Sequence, residues 1–144
     1  LRSSDKRTVT DIQYAKYLGL NTLRMEGPRG SDYLFEKCDE EGIMLMVGWC
    51  CCSSWERWKN WTPHVADIAE NSWKDQIVRL RNHPAVFDWL YGSDNFPPAD
   101  IEKRYIQVLD EYDGTRPYQS SATQDSSAIA GLTGLPSRSG RGTP

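Results

Sequence analysis

Four times along the chain a helix-like segment leads into a short apolar run of strand length, and that alternation limits the fold more than any other feature. Residues 8–18 place Ile12, Ala15 and Leu18 on one helical face, with Gly19 as a stop, and residues 21–26 follow as a strand. Ser31 or Asp32 caps a second helix that carries Leu34, Phe35 and Cys38 inward, stops at Gly42 and precedes the unbroken apolar run 43–47. The third helix shows Ala66, Ala69, Trp73, Ile77 and Leu80 at three- and four-residue steps. It closes at His83, because Pro84 disfavours helix in the residue before it, and residues 86–91 then read as a strand buried on both faces. Ile101, Tyr105, Leu109 and Tyr112 mark a fourth helix, closed near Asp113 and Gly114, ahead of a strand at 118–122.

Strands separated by helices pair in parallel through right-handed crossovers. Each strand here ends in polar or aromatic groups: Arg24 and Glu26, Trp49, Ser93 and Asp94, and Gln119 to Ser121. Convergence of such groups at one end of a parallel sheet is what a (β/α) barrel site requires. The fold class is therefore α/β, of the (β/α)8 TIM-barrel type. A full barrel takes eight units and about 250 residues. With 144 residues the chain holds about half of one, roughly strands two to five, and taken alone it would expose two open sheet edges. Residues 1–123 form this partial catalytic domain. Residues 124–144, rich in Ser, Gly, Thr and Pro and without periodicity, form an irregular or disordered tail.

The net charge is -3, and no cluster of Lys and Arg suits nucleic acid. No apolar run is long enough to span a membrane, and no apolar signal-peptide core follows Leu1. Six Trp and seven Tyr serve either as core or as platforms for the flat apolar face of a sugar. Cys38 and the run Cys50-Cys51-Cys52 have no zinc spacing, and they read as small buried thiols, with no metal or cofactor implied. The loop 48–64, with Trp49, Trp55, Trp58 and Trp61, is longer than most connections and of a length associated with function.

The string Arg81-Asn82-His83-Pro84-Ala85-Val86, with Ser93-Asp94 at the strand's far end, resembles glycoside hydrolase family 2. That family has an Asn-His-Pro-Ser-Val type approach to barrel strand four and usually Asn-Glu at its exit. Asn21-Thr22-Leu23-Arg24-Met25-Glu26-Gly27, Gly48-Trp49-Cys50-Cys51-Cys52 and Gly92-Ser93-Asp94 are similar to its exo-β-D-glucosaminidase branch, and the likeness spans residues 8–123. The resemblance implies a retaining glycosidase that releases glucosamine from the non-reducing ends of chitosan-type oligosaccharides. A carboxylic acid protonates the glycosidic oxygen while a second carboxylate attacks the anomeric carbon. By position Asp94 is the general acid/base. The nucleophile belongs to a later strand, beyond Pro144, so the isolated fragment is expected to be inactive.

In this reading Ser93 and Glu26 bind the sugar's 2-ammonium, which only donates hydrogen bonds, and Ser93 replaces an Asn suited to a 2-hydroxyl. Arg24 orients carboxylates at the strand end. Trp49 lines the sugar subsite or packs in the core, two readings of equal standing. His83, at the strand's start, is structural. The implied partner is a carbohydrate substrate, with no nucleic acid and no membrane, and a polymeric substrate implies secretion. The alternatives are another family 2 glycosidase, of the mannosidase or galactosidase type, and a truncated non-catalytic product.

Overall fold

The structure, a computed structural model, describes residues 4–26, 30–49, 56–123 and 125–132. Helices and strands alternate as α1 (Asp5–Tyr17), β1 (Thr22–Met25), α2 (Asp32–Glu41), β2 (Met44–Gly48), α3 (Pro63–Leu80), β3 (Val86–Leu90), α4 (Ala99–Tyr112) and β4 (Tyr118–Gln119). Local chemistry sets their limits. Ser4, Ser31 and Thr62 each accept the amide three residues on, so α1 begins ahead of the expected Thr8. Pro63 opens α3, where its missing N–H has no helical partner to lose. Gly42 closes α2 in the left-handed region at φ 70°.

The four strands form one sheet in the order β1-β2-β3-β4, every pair parallel. Sheet order follows chain order, so right-handed crossovers put every helix on the same face. A single buried cluster agrees with this. Ile12 of α1, Phe35 of α2, Ile77 of α3 and Tyr105 of α4 share it with Leu45, Val47 and Trp89 of the strands. Trp73 is its hub, with its ring centroid 5.7 Å from those of both Trp49 and Trp89 and its indole N–H donated to the Tyr105 carbonyl at 3.2 Å.

The opposite face is more polar. Arg24, Met46 and Asp88 stand in register across the first three strands, and Leu90 pairs with Gln119. A register shift in β3 opposite Leu45 and Met46 sets this phase. Val86 packs into the helix-side cluster, yet Asp88 joins the polar row and Trp89 returns to the core. Without the extra residue Val86 and Asp88 would share a face.

Three expectations need amendment. The last strand of the sheet covers two residues rather than 118–122. Within the segment expected to be irregular, Ser126–Ser127 (β5) and Gly131–Leu132 (β6) pair antiparallel, with Gly131 at φ 80°. Two-residue strands carry no apolar period, so composition could not reveal them. The loop 48–64 contains a 3-10 turn at Trp58–Asn60. Residues 50–55, with Cys50, Cys51, Cys52 and Trp55, lie outside the described part, as do residues 124 and 133–144. Cys38 is free and buried, and burial pushes its thiol up to about 11. Among the described residues no helix is long and apolar enough to cross a membrane.

Trp73→Ala removes the ring through which α3 meets Tyr105 of α4, Trp89 of β3 and Trp49 at the end of β2. Urea denaturation of the 144-residue chain should show a loss of about 3–5 kcal/mol, the range for emptying a buried aromatic site.

Candidate active site

Beyond Leu90 the chain is fixed residue by residue. Tyr91 donates its amide to the Gln119 carbonyl at 3.1 Å and its hydroxyl to Glu102 Oε1 at 2.8 Å. Gly92 follows where an added Cβ would lie 2.4 Å from the carbonyl oxygens of both Asn95 and Ser120, so only glycine fits between the two backbones. Ser93 emerges buried, with its carbonyl accepting the Ala122 amide at 2.9 Å and its own amide donated to Glu56 Oε1 at 2.7 Å. Asp94 comes next, exposed just past the C-terminal end of the strand, and it makes no hydrogen bond or ion pair among the described residues.

The Ser93 hydroxyl is a junction. It accepts from Arg24 Nη2 at 3.3 Å and donates to Glu26 Oε1 at 3.4 Å. The end of β1 thus meets the end of β3 across the intervening strand, and Arg24, Glu26 and Ser93 come together beside Asp94. A hydroxyl bridging a cation and an anion is a polar anchor with one lone pair left for a ligand donor.

Trp49 does not join this group. Alternation along β2 turns Val47 and Trp49 to the helices and Gly48 to the polar face. Trp49 is buried, and its indole N–H donates to the Tyr105 hydroxyl at 3.2 Å. Of its two readings, the geometry matches packing. His83 sits at the start of β3 with Nδ1 2.6 Å from Asp39 Oδ2, while Asp39 Oδ1 accepts the Ala85 amide at 2.7 Å. That pairing ties the end of α2 to the strand's start and fits the structural role expected of His83.

Sequence reasoning passed over two carboxylates. Glu56 was hidden in a loop read for its tryptophans. Asp88 sits mid-strand, only 2% exposed, with Oδ2 accepting from Gln119 Nε2 at 3.0 Å and Oδ1 without a partner among the described residues. Burial drives its pKa up to about 6, against the opposing effect of the Gln119 and Trp89 hydrogen bonds. An acid amid an apolar run was the available signal. Beside Asn95 lies an open cleft of about 750 Å³ lined by Glu56, Trp58, Phe96 and Asp100 among others. Among the described residues no group of three or more His, Cys, Asp or Glu is placed to hold a metal ion.

No family model matches the chain. Its structure superposes on a β-D-mannosidase from Dictyoglomus thermophilum with a TM-score of 0.67 at 22% identity, over 85% of this chain and 17% of that one, a likeness of fold. The Amycolatopsis orientalis exo-chitosanase CsxA is much nearer, with a TM-score of 0.85 at 32% identity over 92% of this chain and 16% of that one. An exo-β-D-glucosaminidase of Streptomyces avermitilis is 38% identical over 131 residues, 86% of this chain. Over most of its length the chain is thus similar to exo-β-D-glucosaminidases and matches the structure of CsxA, a member of glycoside hydrolase family 2. The chain spans 14% of the length of the Streptomyces relative.

The burial of Asp88 gives a pH signature. Its folded pKa lies above the ordinary carboxylate value, so its protonated form fits the fold at acid pH. The cost of ionising it grows as pH rises from about 4 to about 6 and then levels off. Asp88→Asn should leave stability at pH 4 nearly unchanged and raise it by up to about 3 kcal/mol at pH 8. Denaturation midpoints across that pH range measure the difference.

Proposed function

We propose that the chain is one segment of a retaining exo-β-D-glucosaminidase, an arc of four consecutive units from a (β/α)8 barrel, with Asp94 as its general acid/base. The observation that carries this is the placement of an exposed Asp94 beside a Ser93 hydroxyl shared by Arg24 and Glu26, at the C-terminal edge of a parallel sheet. Sequential strand order with helices on one face is what distinguishes an arc of a singly wound barrel from a doubly wound sheet. The relatives, named as exo-β-D-glucosaminidases, support the choice of sugar.

The residues divide the work. Asp94, protonated, gives its proton to the glycosidic oxygen as the C1–O bond breaks, so the departing sugar leaves as a neutral alcohol. A carboxylate from outside this chain attacks C1 and holds the glucosaminyl group. Asp94, now ionised, takes a proton from the water that displaces that carboxylate, which restores both groups. The substrate's 2-ammonium donates to Glu26 and to the Ser93 hydroxyl, with Arg24 fixing the orientation of both acceptors. A chitosan-type polymer is too large to enter a cell, so this reading implies secretion.

In the full-length protein, Asp94→Ala should lower turnover of chitosan oligosaccharides by about 10²–10⁴-fold, the range for loss of a general acid. The 144 residues alone should hydrolyse nothing measurable. A panel of aryl glycosides decides the sugar: glucosaminide should be the best substrate, and finding it the poorest would reject the assignment in favour of a mannosidase or galactosidase.

A further inference from the structure

Glu56 grips the chain on both sides of Asp94. One of its oxygens, Oε1, accepts the Ser93 amide at 2.7 Å and the Asn95 amide at 3.4 Å. Both amides belong to a turn that no regular ladder continues, since β3 ends at Leu90. The Ser93 carbonyl is held from the other side by the Ala122 amide, and Gly92 is wedged between two backbone carbonyls. Asp94 itself has no hydrogen bond among the described residues. Its pose therefore depends on its backbone, where Glu56 is the one side chain seen to accept amides on both sides of Asp94 among the described residues.

We propose that Glu56 is a positioning residue that fixes the Asp94 acid/base by accepting the two amides flanking it. This rests on the acid/base reading of Asp94 given above, while the hydrogen-bond arrangement stands independently of it. The residue type suits the task. A carboxylate can take two amide donors at one oxygen, and charge-assisted bonds of this kind are the strong ones. The glutamine amide also offers a carbonyl oxygen to the same donors at similar reach, so it should preserve the turn with weaker bonds. Alanine leaves both amides to water and lets the Asp94 carboxyl wander. A displacement of about 1 Å at a reacting group can cost about 10²-fold in rate.

Two measurements separate this proposal from the reading beneath it. Amide hydrogen exchange on the 144-residue chain reads the clamp without any catalysis. In Glu56→Ala the Ser93 amide should exchange at least about tenfold faster, while Trp89, bonded to Pro117 within the sheet, keeps its protection. Unchanged exchange at Ser93 would overturn the clamp, as would equal loss at both amides.

In the full-length protein, Asp94→Ala, Glu56→Ala and Glu56→Gln are compared on chitobiose and on a dinitrophenyl glucosaminide, whose leaving group needs no proton. Glu56→Ala should lose about 10- to 100-fold in kcat/KM on chitobiose and little in kcat/KM on the activated substrate, with Glu56→Gln largely restored. That is the pattern expected of Asp94→Ala, because kcat/KM reports the C1–O cleavage step alone. Equal losses of Glu56→Ala on both substrates, beside a leaving-group-dependent Asp94→Ala, would overturn the positioning role alone. Leaving-group independence in Asp94→Ala would remove the acid/base reading and this proposal with it.

Discussion

The structure depends on β3 being paired on both sides. Its hydrogen bonds to β2 and β4 fix its height in the sheet, and a register shift sets which side chains face which way. Trp89 is thereby driven into the helix layer, where its indole N–H donates to Asp113 Oδ2 at 2.8 Å. Asp113 also accepts from Arg116, which reaches back to the Val86 carbonyl. The strand is held from its first residue to its last. Only a strand held this firmly can present one exposed carboxylate at its end in a reproducible place.

The polar residues past that end divide into holders and presenters. Gly92, Glu56 and the Ala122 amide act on backbone, and they leave the Asp94 side chain unengaged. Ser93 works in both senses, because its backbone is clamped while its hydroxyl gathers Arg24 and Glu26 from two strands away. Charges of both signs around one hydroxyl keep the site polar without filling it. An arriving ammonium would find two acceptors already aligned, so little reorganisation is needed for binding. Asp88, deeper in the same face, is a different matter. With Oδ1 lacking a partner among the described residues and its pKa raised by burial, it is an acid that the sheet holds without fully satisfying.

Much of this is legible in the amino-acid sequence. Apolar spacing located all four helices, because amphipathic faces at 3.6-residue period survive translation into burial: Ile12, Phe35, Trp73, Ile77, Tyr105 and Leu109 are all in the core. The parallel sheet followed from the alternation of elements. Boundaries were less visible, since they are decided by caps such as Ser4 that involve a single hydroxyl. The sheet register was invisible, and so was the shift that places Asp88. Glu56 could not be found from pattern at all, because its partners are backbone amides 37 and 39 residues away, and backbone amides leave no trace in a sequence. Trp49 was readable in two ways until the alternation along β2 was known.

The central claim is that Asp94 faces the glycosidic oxygen while Ser93 and Glu26 hold the amine of the same sugar. A crystal structure of the full-length protein, with its nucleophile disabled and PNP-β-D-glucosamine bound, tests this directly. The account predicts an Asp94 oxygen about 2.6–3.2 Å from the glycosidic oxygen, with the 2-ammonium within hydrogen-bond reach of Glu26 and the Ser93 hydroxyl. A sugar bound with Asp94 turned to solvent, or with its amine away from Ser93 and Glu26, would contradict it.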